Sequence, residues 1–255
     1  MPLEIVTVPC LSDNYAFIAH NPVTNDTAVI DVPEAGPIQS VLEARGWELG
    51  KIFITHHHSD HVGGVEELRT HWSPRVIGAK ADAHRLPALD VEVEEGDEIM
   101  IGGEKGRVID VSGHTMGHVA FHFPGSDAVF TADSLMAMGC GRLFEGDADT
   151  MWKSLSKLAA LPQDTIVYSG HEYTAANARF AMTVDPENPA LARRSGQIEA
   201  ARAKGDATIP SSLAEEKETN PFLRAGDPAI RSGLGMEDAS DAEVFAEIRR
   251  RKDNF

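Results

Sequence analysis

The sequence predicts an α/β domain followed by a helical region, and three observations carry that expectation. Strand-like and helix-like segments alternate from residue 3 to about residue 171. Residues able to bind a ligand stand repeatedly at the C-terminal ends of the strand-like runs, where α/β sheets tend to hold their sites. After His171 the strand signals fade and helical periodicity takes over. A boundary is therefore expected near residue 173, with 1–173 as one domain and 174–255 as a second.

Taken in order, Leu3 to Val8 and Tyr15 to Ala19 read as strands joined by a turn at Ser12-Asp13-Asn14. Thr27 to Ile30 is a third strand, ending at Asp31. Pro37 to Arg45 is helical, with Ile38, Val41 and Leu42 at helical spacing and Gly46 as its stop. The apolar run Ile52-Phe53-Ile54 is a buried strand, and Val62 to Leu68 turns into a helix. From Val76 to Phe130 the chain is β-rich, with strands at 107–111, 119–123 and 128–131. Thr150 to Leu161 reads as a helix capped by Asp149. Thr165 to Tyr168 is a strand. Helices follow at 175–183, 189–204 and 241–252, with an irregular, proline-containing stretch between the last two.

Composition narrows the classes of function. The chain has 255 residues, 42% hydrophobic and 25% charged, which permits a real core. Its formal net charge of −17 argues against nucleic acid, whose phosphates need a basic surface. No apolar run approaches transmembrane length, and Met1 to Val6 does not begin a signal peptide. Cys10 and Cys140, far apart in sequence, are no disulfide framework and suit a reduced cytoplasm. A cytoplasmic monomer is expected.

The chemistry concentrates in Thr55-His56-His57-His58-Ser59-Asp60-His61, directly after a buried strand. Nitrogen and oxygen donors this dense suit a metal ion. A solvated histidine-rich loop is the bland alternative. Alternation in an extended segment puts His56 and His58 on one side and His57 on the other, so His57 is expected to make a supporting hydrogen bond. Three later strand ends repeat the pattern: His114 in Gly113-His114-Thr115, Asp133 after Phe130-Thr131-Ala132, and His171 after Ser169-Gly170. Each alone is weak, but strand ends of one sheet converge in space. Asp31, at another strand end, could orient a ligand imidazole. His20, His71, His84, His118 and His122 read as surface or core residues.

These motifs resemble the metallo-β-lactamase superfamily and, within it, the glyoxalase II (hydroxyacylglutathione hydrolase) family. The resemblance runs end to end. It includes Leu11 to Tyr15, Gly139-Cys140-Gly141-Arg142, Ile209 to Leu213, Asn220-Pro221-Phe222 and the closing Arg249, Lys252, Asp253 and Phe255. It implies a metallo-β-lactamase-like αββα sandwich followed by an all-helical, glutathione-binding C-terminal domain. It further implies two divalent metal ions, with zinc the first choice and iron or manganese the alternatives. His56, His58 and His114 would hold the first, Asp60, His61 and His171 the second, and Asp133 would bridge them. The implied substrate is S-D-lactoylglutathione, cut to D-lactate and glutathione by a metal-bridging hydroxide that Asp60 orients. Arg142, Phe144, Tyr173, Arg249 and Lys252 occupy the family's glutathione-contacting positions. Phe144 stands where the family has tyrosine, and Arg142 where lysine is common. Cys140, between two glycines, reads as part of a tight turn rather than a nucleophile. The rival expectations are a mononuclear-iron persulfide dioxygenase of the same superfamily and a non-catalytic metal-binding module.

Overall fold

The computed structural model describes residues 2–255. The chain divides into two compact units. One runs to Val111 and resumes over Met116–Ala132; the other holds Ser112–Thr115 and Asp133–Phe255.

The first unit contains β1 (Glu4–Cys10), β2 (Asn14–Asn21), β3 (Asp26–Ile30), α1 (Ala35–Arg45), β4 (Leu49–Phe53), α2 (Ser59–Val62), α3 (Val65–Trp72), β5 (Arg75–Ala79) and β6 (Val91–Val93). It continues with β7 (Glu98–Ile101), β8 (Glu104–Asp110), β9 (Val119–Phe123) and β10 (Ala128–Ala132). Strands β1 to β6 form one sheet in sequence order, antiparallel from β1 to β3 and parallel from β3 to β6. Strands β7 to β10 are a run of antiparallel neighbours. Parallel neighbours need a crossover, and α1 and α3 supply two of them. The alternation of β4 shows how the layers divide. Ile52 packs with Ile38, Leu42, Val65 and Leu68 of the helices. Phe53 faces the other way, with its ring 5.1 Å from that of Phe121 in β9. Phe17 and Phe130 meet similarly at 5.7 Å. Phe53, Phe121, Phe123 and Phe130 are wholly buried, each contributing ~1.5–3 kcal/mol by leaving water.

Helix α1 ends as its sequence predicts. Gly46 adopts φ 64°, a left-handed conformation that a side chain disfavours, and its N–H returns to the last turn.

The second unit contains β11 (Leu135–Met136), β12 (Gly139–Cys140), α4 (Ala148–Ala159), β13 (Ile166–Ser169), α5 (Thr174–Val184), α6 (Pro189–Arg202), β14 (Ser211–Ser212), α7 (Leu213–Thr219), α8 (Pro228–Leu234) and α9 (Asp241–Asp253). Helix α4 is capped by Asp147, whose carboxylate accepts the Thr150 N–H at 2.8 Å; Asp149 lies in the first turn instead. The stretch read as irregular holds α7 and α8. It also holds β14, which pairs with β13 through Ser211 and Ser212. Two serines carry no strand signal, so this extension of β13 was illegible.

Candidate metal centre

In the first unit the donors sit on a short segment leaving β4. Thr55 anchors it: its N–H and hydroxyl both donate to the Asp31 carboxylate, at 2.8 Å each. Asp31 adopts φ 56°, an uncommon conformation for a side-chain-bearing residue, directly after β3. Its Oδ2 also lies 2.8 Å from His61 Nδ1. His56 Nε2 and His58 Nδ1 approach to 3.1 Å, while His57 turns away and meets Asp82 Oδ2 through Nδ1 at 2.9 Å. Helix α2 then carries Asp60 and His61. Asn14 donates to the Asp60 main-chain oxygen at 3.0 Å and to its Oδ2 at 3.1 Å, so the first residue of β2 fixes the direction of this carboxylate. His118, read above as a core or surface residue, stacks on His56 with ring centroids 4.6 Å apart. The approach to β9 is tied to the same segment, since Val119 N–H donates to Thr55 O at 2.9 Å.

The second unit supplies His114, Asp133 and His171. His114 and His171 present Nε2 to different oxygens of Asp133, at 3.4 Å from Oδ2 and 3.3 Å from Oδ1. His114 Nδ1 lies 2.7 Å from the Arg142 carbonyl oxygen. Gly141 makes this turn possible. A Cβ there would lie 1.9 Å from the Asp133 carbonyl oxygen and 2.9 Å from His114 Nδ1. The β11–β12 hairpin between these residues is held from the helices. Asn220 donates to the carbonyls of Met136 and Gly139, and Glu216 accepts the Met138 N–H. Arg249 donates to the Cys140 carbonyl at 3.0 Å.

These donors fit a metal ion. A carbonyl oxygen can only accept, so His114 Nδ1 must carry its hydrogen, leaving Nε2 as a lone pair in the neutral ring. That lone pair faces a carboxylate oxygen at 3.4 Å. The same holds in the first unit, where Asp31 fixes the His61 tautomer and His61 Nε2 faces Asp60 Oδ2 at 3.8 Å. Two acceptors aimed at each other repel unless a cation or proton lies between them. Second partners of this kind are how ligating histidines are oriented. Nitrogen and oxygen donors without thiolates suit a divalent cation such as zinc, iron or manganese.

Of the residues expected to touch substrate, Tyr173 and Phe144 lie against the second group. Tyr173, 40% exposed, stacks on His171 at 4.6 Å, and Phe144, 61% exposed, sets its ring at 64° to His114 at 5.3 Å. Arg142 points outward, with Nε 3.6 Å from Asp253 Oδ1. The Lys252 amine is half-buried between the rings of Phe180 and Phe255 and donates to Ala176 O at 3.3 Å. Arg249, 5% exposed, directs its guanidinium inward to Cys140 and Asp253. Burial pushes the Cys140 thiol up to about 11, against the opposing pull of Arg249. Such a thiol is inert as a nucleophile at neutral pH. Asn14, Thr55, Asp82, Glu216 and Gly141 escaped the sequence reading as parts of this architecture. The first four act through hydrogen bonds to distant segments, which no local pattern announces. Asn14, Thr55 and Gly141 stood inside quoted motifs, but nothing local gave them these roles.

Family descriptions match both parts of the chain. "Metallo-beta-lactamase superfamily" covers residues 14–171, and "Hydroxyacylglutathione hydrolase C-terminus" covers 172–255. The hydroxyacylglutathione hydrolases of Cereibacter sphaeroides and Ruegeria pomeroyi are each 64% identical over 255 residues, with the whole of both chains covered. Among solved structures, ETHE1 from Myxococcus xanthus is 25% identical with a TM-score of 0.69, covering 98% of this chain and 90% of that one. No helix of the described residues is long and apolar enough to cross a membrane. With each part matched and the full length shared at this identity, the chain belongs to the hydroxyacylglutathione hydrolase (glyoxalase II) family, built on the metallo-beta-lactamase fold.

Proposed function

We propose that the chain hydrolyses S-D-lactoylglutathione and related 2-hydroxyacylglutathiones, releasing the hydroxy acid and glutathione. The observation that carries this reading is the union, on one chain, of a metal-ready donor set with the C-terminus of a hydroxyacylglutathione hydrolase. We assign His56, His58 and His114 to one divalent ion, Asp60, His61 and His171 to a second, and Asp133 to both, with zinc the first candidate. Residues 174–255 are assigned to glutathione recognition. A reducing, cytoplasmic compartment fits two buried, unbridged cysteines.

When bound, two such ions supply a water ionised near neutral pH and a Lewis acid for the thioester oxygen. The chain's own groups do the rest. Asn14 sets the Asp60 carboxylate, whose proposed task is to accept a hydrogen bond from the attacking water and aim it. Arg142, through its carbonyl, holds the His114 ring, while its guanidinium faces solvent as a partner for a glutathione carboxylate. Tyr173 and Phe144 offer aromatic faces to the thioester arm; Phe144 lacks the hydroxyl of its family counterpart. The departing sulfur needs no proton donor from the chain, because a free thiol ionises near pH ~8.5. Persulfide oxidation at a single iron has weaker support, since the relatives that share 64% identity carry the hydrolase name.

The direct test follows thioester absorbance as purified protein meets S-D-lactoylglutathione, beside a chelator-stripped sample. Rapid loss that vanishes with the metal is expected. A fully metallated protein without thioesterase activity would overturn the reading.

Lys252 gives the reaction a pH dependence. Burial, with help from Arg249 and Arg179, lowers its amine to about 8. Its charge is present below that pH and lost above it. KM should therefore climb between pH 7 and 9, and in Lys252→Met KM should be higher at pH 7 and flat across the range. A wild-type KM independent of pH would remove Lys252 from the binding site. The stability sign is opposite. The folded state holds this proton less tightly than the unfolded chain, so Lys252 costs stability below pH 8, and the cost is relieved as pH rises toward its ordinary value.

A further inference from the structure

We infer that Asp82 is a positioning residue for the metal-ligating segment, acting through the non-ligating His57. The inference rests on the metal site proposed above. Asp82 ends a short 3-10 turn after β5, 25 residues beyond His57, and is 1% exposed. A carboxylate this buried needs compensation. It has two side-chain partners of opposite character: Arg85 Nε donates to Oδ1, and His57 Nδ1 lies 2.9 Å from Oδ2. Since a carboxylate only accepts, His57 carries its hydrogen on Nδ1.

The consequence reaches the ligands by two routes. The His56 and His58 rings meet while the His57 ring between them turns to Asp82, so fixing the middle ring constrains the direction of its two neighbours. The His57 ring also stands edge-on to that of His58, at 4.9 Å. The second route is steric. Gly117 adopts φ 153°, and a Cβ there would come within 2.7 Å of the Asp82 Cβ, so the turn rests directly on Asp82. The next residue, His118, stacks on His56. One buried carboxylate thus touches His57 by a hydrogen bond and, through Gly117, underlies the ring that covers His56. Arg85, through its contact with Oδ1, holds that carboxylate in place. No part of this requires Asp82 to contact substrate or metal.

The test measures metal affinity by chelator competition, beside thermal melting and steady-state kinetics, on the full chain. Asp82→Ala should bind metal about 10–100-fold more weakly, the usual cost of losing an outer partner of a metal site. Asp82→Asn keeps an acceptor for His57 Nδ1 and should retain affinity above that of Asp82→Ala. His57→Ala should weaken binding in the same direction, and the double variant should lose less than the sum of the two single losses, because both remove the same hydrogen bond. Unchanged metal affinity in folded Asp82→Ala, equal loss in the asparagine and alanine variants, or additive losses in the double variant would each overturn the inference. Failure of the wild type to bind metal would instead overturn the site itself.

Discussion

Asp133→Ala is expected to lower kcat/KM about a thousandfold and to reduce the metal content of the purified protein. The argument starts from geometry. Each carboxylate oxygen faces a different imidazole nitrogen, at 3.4 Å and 3.3 Å, and the residue is 6% exposed. A side chain serving a single ion would not be so evenly divided. Metal ions contribute several kcal/mol of charge stabilisation to such a reaction, and each ~1.4 kcal/mol is tenfold in rate. On the two-ion assignment proposed above, losing the shared ligand should therefore remove about 10³ of rate. Elemental analysis and thioester kinetics on the same sample check it. Full activity in a metal-poor Asp133→Ala protein would exclude the two-ion assignment.

Gly141→Ala should be nearly as damaging although it removes nothing. The added methyl would lie 1.9 Å from the Asp133 carbonyl oxygen, a backbone atom with no rotamer to yield. Overpacking usually costs ~1–3 kcal/mol. Here relief requires moving either the Asp133 peptide or the turn whose next carbonyl holds His114. We expect activity to fall at least a hundredfold, the upper range for a lost partner of a metal ligand, with a clearly lower Tm. Gly36→Ala is the matched control. A Cβ at Gly36 meets nothing within 4 Å, and alanine favours helix α1, so Tm should hold or rise. Equal activity in the two variants would mean that the Gly141 turn bends without consequence.

How much of this was legible depended on whether the signal was local. The strands before Asp31, Thr55 and Asp133 announced themselves because apolar runs end abruptly at polar, metal-capable side chains. Helix α1 was readable from Ile38, Leu42 and Gly46. Helices α7 and α8 were not. At seven residues each they are too short for periodicity to emerge, and Pro221 and Pro228 disguised them as loop, although Pro228 sits at a first-turn position where proline is welcome. Misplacing the cap of α4 by two residues followed from Asp147 and Asp149 lying close together, either of which could cap. In the candidate site, the candidate donors stood out in the sequence, and of the residues around them Asp31 and His57 were named as supports, but Asn14, Asp82 and Glu216 were not. His57 was expected to bond away from the metal side, but its partner could have been any of many carboxylates. Arg249 illustrates the opposite limit: its charge and helix position were evident, yet only packing reveals a guanidinium turned toward the carbonyl of Cys140.

That contact has a consequence in the order of folding. Arg249 and Cys140 are 109 residues apart, and Asn220 reaches back 81 and 84 residues to the same hairpin. Contacts this remote form late, after the loop-closure entropy of the intervening chain has been overcome. On the ribosome, the histidine-rich segment of the first unit is complete long before the braces of the β11–β12 hairpin emerge. An early metal ion would therefore meet one set of donors already in place and another still unsupported. On the metal assignment proposed above, firm capture of metal is then expected to be late, tied to synthesis of the final helix, and a shortened chain lacking Arg249 is expected to compete poorly for the cell's metal.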